Sequence, residues 1–179
     1  FLRAAFCALG GNSEVADRIY GVDLDPLAAE TASFVLTAED LILNPGASAP
    51  WERWHRFRKN FATGDALLID VDGTARQSTL LSPSVTGAVQ GHPLGRFEPW
   101  SLASIFPETS AHGFGRVLAN PPYAPLQPGV ASLHLADLHP ITGGTVSADI
   151  SPVFVELCTR LLPKHGALAV VMPLSVVTS

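Results

Sequence analysis

Apolar runs separated by Gly, Pro and Asn predict alternating strands and helices in the first part of the chain. The first ten residues fit a short helix, and residues 18–23 and 61–69 fit strands. Between these strands, Asp25 followed by Pro26 is typical of a helix N-terminus, because the carboxylate accepts from free backbone N–H groups and proline has no N–H to leave unpaired. The predicted apolar face of this helix is formed by Leu27, Ala28, Phe34, Val35, Ala38, Leu41 and Ile42.

The second half of the chain contains two further predicted strands and the clearest predicted helix. The strands are at 116–119 and 167–172. The later one is apolar throughout, which is typical of a strand buried on both faces of a parallel sheet. Alternating strands and helices predict an α/β domain with a mostly parallel sheet and flanking helices. The helix begins at Ser151-Pro152, and its apolar stripe at helical spacing is formed by Val153, Phe154, Leu157, Cys158, Leu161 and Leu162.

Composition and charge narrow the class of protein. Two stretches without a clear period, at about 71–115 and 124–149, are interpreted as insertions into a single domain, 1–179. A packed domain is favoured because 47% of the residues are hydrophobic and only 15% are charged. No apolar run is long enough to span a membrane, and the two cysteines lack metal-ligand spacing, so a cytoplasmic protein without a bound metal is expected. The net charge of -5 is unfavourable for a self-sufficient DNA-binding module.

The segment Asn120-Pro121-Pro122-Tyr123, which we call the proline ledge, directly follows a predicted strand. Strand ends of this kind carry the ligands of doubly wound sheets. Two consecutive prolines fix their own φ angles and remove two backbone donors, and Pro121 also forces Asn120 to be extended. The Asn120 amide oxygen and the Pro121 carbonyl can then accept from one flat NH2 group, directing its lone pair toward an electrophile. Tyr123 can stack on a base, an interaction worth about 1–3 kcal/mol.

With this ledge, the sequence resembles the class I S-adenosylmethionine-dependent amino-methyltransferases that have an N-P-P-Y motif. The resemblance implies a partial Rossmann-like methyltransferase fold. It also implies transfer of a methyl group from S-adenosyl-L-methionine to the N6 amino group of adenine in DNA, with the base flipped out of the duplex. Cys7 and Cys158 fall on predicted helices, so a direct transfer without a covalent enzyme adduct is expected.

The resemblance extends to two segments that overlap the predicted strands, at 19–26 and 63–68. In the family, an acidic residue in the first segment binds the ribose hydroxyls of the cofactor, and one in the second accepts from the cofactor's adenine amino group. An aromatic residue near the start of a later helix packs on the same adenine. The resemblance therefore implies these cofactor-binding residues: Asp23, Leu24, Asp65, Ala66 and Phe154.

The family's glycine-rich loop has no counterpart here, since it would immediately precede Phe1. The resemblance thus implies a fragment that lacks this loop and the first strand, and that binds the cofactor poorly and is inactive by itself. DNA would be bound mainly through a recognition region absent from this chain, and a restriction or specificity subunit is a candidate partner. This would also account for the acidic charge balance.

Two other functions are compatible with parts of the sequence. The same ledge serves enzymes that methylate a protein glutamine or ribosomal RNA. DNA is favoured by the long insertions and by the segment 105–108, which resembles a segment of large restriction-modification enzymes. Residues 66–74 also resemble the nucleophile motif of haloacid dehalogenase-like phosphatases, with Asp70 as nucleophile and Asp72 as acid/base. The later acidic pair of those enzymes is missing, and Lys164 is the sole lysine after residue 74. A hairpin turn at Asp72-Gly73 is the simpler explanation.

Two weaker patterns are weighed as possible sites for DNA phosphates or a metal ion. The segment 51–59 interleaves Trp and Phe with Arg, His and Lys, so it fits either a contact to DNA phosphates or a packed amphipathic helix. His134, Asp137 and His139 are interpreted as surface residues of a loop and not as metal ligands, because their spacing would not direct them to one point.

Overall fold

The computed structural model describes residues 1–72, 100–109, 112–123, 138–142 and 150–172. The chain divides into two compact units, Phe1–Ala66 and Leu67–Ser179, which we call unit 1 and unit 2. Most residues of both predicted insertions, including His134 and Asp137, lie outside the described residues.

Unit 1 contains three helices and one pair of strands. Strands β1 and β2 pair in parallel, with Gly21 opposite Phe61 and Asp23 opposite Thr63. A Cβ atom on Gly21 would lie 2.6 Å from the ring of Phe61, so the register requires glycine at this position. The elements in chain order are α1 (Leu2–Ala8), a 3₁₀ helix (Ser13–Asp17), β1 (Gly21–Asp23), α2 (Pro26–Leu43), α3 (Pro50–Arg58) and β2 (Phe61–Thr63).

The core of unit 1 joins its helices to β2. The rings of Phe6 on α1 and Phe57 on α3 meet edge to face, with centroids 5.7 Å apart. Both side chains are fully buried, so this pair fixes α1 against α3. The complete cluster consists of Phe6, Val15, Ala16, Ile19, Ala29, Leu36, Phe57 and Phe61.

The apolar face predicted for α2 is wrong, because the helix buries its other side. Leu27, Phe34 and Ile42 are 67%, 66% and 72% exposed. The buried side includes Ser33 and Thr37, whose hydroxyl groups donate to backbone carbonyls one turn earlier in the helix, at 3.1 and 2.7 Å. These polar side chains therefore face the core without an unpaired group. Because α2 has apolar residues on both sides, hydrophobic spacing alone does not decide which side is buried.

A buried guanidinium closes the C-terminal end of α2. The Arg53 side chain is 1% exposed and donates through Nη1 to the carbonyl of Asp40 at 2.8 Å and to its Oδ2 at 3.2 Å. Through Nη2 it donates to the Asn44 carbonyl at 2.7 Å, and through Nε to the Ser48 carbonyl at 3.1 Å. The last carbonyls of a helix have no partner within it. Arg53, which lies on α3, donates to two carbonyls at this end, those of Asp40 and Asn44, and ties α3 to the end of α2.

Unit 2 contains two further pairs of parallel strands. Ile69 pairs with Trp100 in the first pair, and the second runs in register from Arg116 opposite Ala167 to Ala119 opposite Val170. All strand pairs among the described residues are parallel and form two-stranded sheets, which is consistent with an α/β methyltransferase-like domain. The elements are β3 (Ile69–Asp70), β4 (Trp100–Ser101), α4 (Leu102–Ile105), β5 (Arg116–Ala119), α5 (Ser151–Arg160) and β6 (Ala167–Val170).

The predicted elements and the structure differ in three places. The strand predicted at 61–69 is divided into β2 and β3 by a 3₁₀ helix, Ala66–Leu68, and its two parts belong to different units. Strand β4 and helix α4 lie within the predicted first insertion; elements of two and four residues are too short to show a period in sequence. Strand β6 is not buried on both faces, since Ala167 and Ala169 are exposed while Leu168 and Val170 are partly buried.

Replacing Arg53 tests whether its network holds unit 1 together. In the complete protein, Arg53→Met should lower the free energy of unfolding by about 3–5 kcal/mol, because it leaves the Asp40 carboxylate buried without its cation. Arg56→Met is the matched control, since the Arg56–Asp17 ion pair is about half exposed and such pairs contribute about 0–1 kcal/mol. Urea titrations measure both. Equal losses for the two variants would contradict the structural role of Arg53.

Candidate functional site

Two acidic side chains lie at the same edge of unit 1. Asp23 is the last residue of β1 and is exposed. Asp65 follows β2 by two residues and is partly buried. The parallel register puts Asp23 opposite Thr63, and the Gly64 N–H donates to the Asp23 carbonyl at 2.9 Å. The carboxyl ends of the two strands therefore bring Asp23 and the segment carrying Asp65 together, where ligands of parallel sheets usually bind.

The two neighbouring aspartates after β1 have different roles. Asp25 caps α2 as predicted, since its Oδ1 accepts from the Leu27 N–H at 2.9 Å. Oδ1 of Asp23 accepts from the Asp25 N–H at 2.9 Å, which holds the Asp23 carboxylate just beyond the strand. Leu24 between them is 38% exposed. Of these residues, Asp23 and Leu24 are available to a ligand and Asp25 is structural.

In unit 2, the proline ledge follows β5 directly, as predicted. Asn120 and Pro122 are exposed, Tyr123 is 50% exposed and Pro121 is buried. The buried ring of Pro121 anchors the ledge, while the amide of Asn120 and the ring of Tyr123 remain accessible. The polar and aromatic groups predicted to act on a substrate are thus not turned into the interior.

Two hydrogen bonds join Val171, directly after β6, to the last residue of β5 and to the ledge. The Val171 N–H donates to the carbonyl of Ala119 at 3.0 Å. The Tyr123 hydroxyl lies 2.9 Å from the Val171 carbonyl and 3.2 Å from Oδ1 of Asn120. The part played by Val171 could not be predicted from the sequence, because a backbone carbonyl has no signature in residue type.

Helix α5 carries Phe154 and a carboxylate that sequence reasoning missed. Phe154 is only partly buried, whereas Val153 and Leu157 on the same stripe are buried, so the ring retains accessible surface. Glu156 is 5% exposed and accepts from the N–H groups of Ile141 and Thr142 at 3.2 and 2.8 Å. Glutamate is rarely buried unless it has a partner. A glutamate among the apolar residues of this helix was therefore the sequence feature that could have indicated a buried, hydrogen-bonded carboxylate.

The surroundings of Glu156 stabilise its ionised form. Burial by itself raises the pKa of Glu156, but hydrogen bonds from the Thr142 hydroxyl, at 2.7 Å, and from the backbone N–H groups of Ile141 and Thr142 lower it. The electrostatic influence of the nearby His139 acts in the same direction, and the pKa of Glu156 lies below its ordinary value of 4.5. Ionised Glu156 therefore anchors residues 138–142 to α5.

The two cysteines lie on helices, as predicted. Cys158 on α5 is buried, and burial raises the pKa of its thiol to about 11. It is therefore protonated at neutral pH and unsuited to act as a nucleophile. Cys7 lies exposed on α1, with its thiol 3.7 Å from a carboxylate oxygen of Glu39.

The geometry of unit 2 does not favour the phosphatase alternative. Oδ2 of Asp72 forms an ion pair with Nη2 of Arg160 at 2.6 Å, so this carboxylate is engaged within the fold. Asp70 is 7% exposed on β3, which pairs in parallel with β4, so a tight hairpin at Asp72 does not account for that pairing. Within the described ranges, no group of three or more His, Cys, Asp or Glu side chains is arranged to hold a metal ion.

The surface position predicted for His139 is wrong. The ring is fully buried, and its Nε2 lies 2.8 Å from the Leu67 carbonyl. Leu138 next to it is also buried, and its carbonyl accepts from Arg160. Anchoring by α5 thus draws this segment into the interior of unit 2.

The basic and aromatic segment on α3 fits the packed alternative. Arg53 is buried, and Arg56 and Lys59 both pair with Asp17, at 2.8 and 3.2 Å. Arg58 donates to the Phe61 carbonyl at 3.0 Å. Arg53 is thus part of the packed interior of unit 1, while Arg56 and Lys59 remain about half exposed.

Comparison with known proteins gives the family. A family model described as Eco57I restriction-modification methylase matches residues 17–179, which is most of the chain. The chain therefore belongs to the Eco57I restriction-modification methylase family. No curated protein and no solved structure gives a significant match. In the part of the chain that the structure describes, no helix is long and apolar enough to cross a membrane.

Glu156→Gln should change how stability depends on pH. Because the folded-state pKa of Glu156 is below 4.5, its stabilising effect is complete above pH 4.5 and is lost as the pH falls through the folded-state value. At pH 7 the variant should be about 1–3 kcal/mol less stable than the parent, and this difference should shrink in acid.

Urea titrations from pH 7 downward measure this difference. Thr142→Val in the same background provides the control, since it removes one donor to Glu156 and its effect should not add to that of Glu156→Gln. A difference between parent and Glu156→Gln that is constant across the pH range would refute the role of the charge.

Proposed function

We propose that this chain carries the catalytic ledge of an enzyme that transfers a methyl group from S-adenosyl-L-methionine to the N6 amino group of adenine in DNA. The observation that carries the proposal is the accessible pair of Asn120 and Tyr123 on a rigid Pro-Pro segment at the carboxyl end of β5. Membership of a restriction-modification methylase family supports DNA as the substrate over a protein glutamine or ribosomal RNA.

The ledge would act by positioning one amino group. The amide oxygen of Asn120 and the carbonyl of Pro121 accept from the two N–H bonds of the adenine NH2 group. The nitrogen lone pair is then directed out of the plane, where it can attack an electrophile in line. The exposed ring of Tyr123 offers a face for stacking with the flipped base. Catalysis comes from orientation and from acceptors for the charge that develops on the amine.

The edge of unit 1 has side chains that fit the adenosine part of the cofactor. The carboxylate of Asp23 is suited to accept from the two ribose hydroxyls, and Asp65 is suited to accept from the adenine amino group. Leu24 and Ala66 would provide apolar contacts beside them. When bound, S-adenosyl-L-methionine supplies the electrophilic methyl group. Asp25 is not included, because it caps α2.

Phe154 on α5 is the proposed aromatic contact for the cofactor. Its ring is only partly buried, so it retains the accessible surface that packing on an adenine ring requires.

Recognition of DNA would depend mainly on parts of the enzyme outside this chain. The net charge is -5, and Arg56 and Lys59 pair with Asp17. Phosphate contacts usually supply most of the affinity for DNA, and they need cations that are available. We therefore propose that a separate recognition region holds the duplex, and that a restriction or specificity subunit is a partner of the assembled enzyme.

Asn120→Ala in the complete enzyme tests the ledge. The variant should lose about 100- to 1,000-fold in kcat, the range seen when one preorganised polar group that stabilises a transition state is removed. Its affinity for S-adenosyl-L-methionine should be unchanged. Transfer of a labelled methyl group to DNA, with adenine-containing RNA and a glutamine peptide as parallel substrates, measures activity and substrate class together. An Asn120→Ala enzyme that retains full activity, or a parent that methylates only RNA or peptide, would overturn the proposal.

Asp23→Asn tests the cofactor site with its fold preserved, because an amide oxygen can still accept from the Asp25 N–H. Loss of the charge should weaken S-adenosyl-L-methionine binding by about 10- to 100-fold, since hydrogen bonds to charged groups contribute about 1.5–3 kcal/mol. Asp25→Ala is the matched control on the same segment. It should lower stability by about 1 kcal/mol through loss of the helix cap and leave cofactor affinity unaltered. Calorimetric titration of each complete enzyme decides between them, and the reverse pattern would exclude Asp23.

A further inference from the structure

The hydroxyl of Tyr123 has two oxygen neighbours but a single proton. It lies 2.9 Å from the Val171 carbonyl and 3.2 Å from Oδ1 of Asn120. A backbone carbonyl can only accept, so the shorter contact takes the phenol proton. The Tyr123 oxygen is then left as an acceptor toward Asn120. In that arrangement, an Asn120 oxygen facing it would be a second acceptor with no proton between the two.

Rotating the Asn120 amide by 180° removes this conflict. Oxygen and nitrogen of an amide exchange places in such a rotation, and hydrogen bonding is the criterion that decides between the two orientations. With Nδ2 toward Tyr123, the amide donates to the phenol oxygen and the phenol donates to Val171. Both contacts are then satisfied. The amide oxygen of Asn120 points away from Tyr123, and since Asn120 is exposed it becomes the atom offered to a ligand.

We propose that the Tyr123 hydroxyl, held by the Val171 carbonyl, is a positioning group that fixes the polarity of the Asn120 amide with its oxygen outward. The inference rests on the proposed function and adds a second role for Tyr123 besides stacking. An amino group needs acceptors, so an Asn120 amide turned the other way would present N–H donors to N–H donors. Without the hydroxyl, Asn120 samples both orientations, and part of the bound substrate is misaligned.

Tyr123→Phe in the complete enzyme separates the hydroxyl from the ring. Stacking is retained, so the dissociation constants for DNA and cofactor and the KM for DNA should be unchanged. Single-turnover methyl transfer should slow by about 3- to 10-fold, the range that corresponds to one neutral hydrogen bond. Tyr20→Phe is the matched control, because the hydroxyl of the chain's other tyrosine also donates to a backbone carbonyl, that of Asp17 at 3.0 Å. It should not affect the rate.

A double-mutant cycle distinguishes positioning from a general structural effect. In Asn120→Asp the side chain ends in two oxygens, so a 180° rotation leaves an oxygen facing both Tyr123 and the substrate. Adding Tyr123→Phe to this variant should therefore cost no further rate. A Tyr123→Phe enzyme with the parental rate, or an equal loss from Tyr123→Phe in the parent and in the Asn120→Asp variant, would overturn the positioning role alone. A parent that transfers no methyl group to DNA would overturn the proposed function with it.

Discussion

Parallel pairing of very short strands is the constraint on which both polar edges of the molecule depend. In a parallel pair the carboxyl ends of two strands lie side by side, so residues far apart in sequence meet without contact between their own side chains. In unit 1 the pairing of β1 with β2 brings Asp23 beside the segment that carries Asp65. In unit 2 the pairing of β5 with β6 brings Tyr123 to Val171, 48 residues later. In both units these candidate functional residues lie at, or directly beyond, the last paired residues of the strands.

Strands of three or four residues have few hydrogen bonds of their own, and helices must hold them in place. In unit 1 this support comes from α2 and α3, which are joined at one end by the buried guanidinium of Arg53. In unit 2, α5 uses Glu156 to fix a segment that follows the proline ledge in the chain. Arg53 and Glu156 are both buried charged groups with hydrogen-bonded partners. Removing one partner would leave the other with the full cost of desolvation.

The sequence predicted local structure correctly where the residue types strongly favour one local arrangement. Asp25 before Pro26 predicted a helix cap, and the segment after β5 was predicted to present Asn120 and Tyr123 at a strand end; both features are present. It failed where several arrangements have similar energies. Helix α2 has apolar residues on both sides, and the side that it buries includes polar residues such as Asp40, which pairs with Arg53 from another helix. Val171 contributes only its backbone, and no side-chain pattern marks such a contribution.

The contact between Tyr123 and Val171 also affects how the molecule tolerates change. The Val171 side chain is 47% exposed, and only its main-chain oxygen meets the tyrosine. Every amino acid supplies that oxygen, so residue 171 is free to vary, provided that the backbone path is kept. Tyrosine has no such substitute. Libraries of variants should therefore accept many residues at 171 and very few at 123, and position 171 offers a place to attach a probe next to the proline ledge.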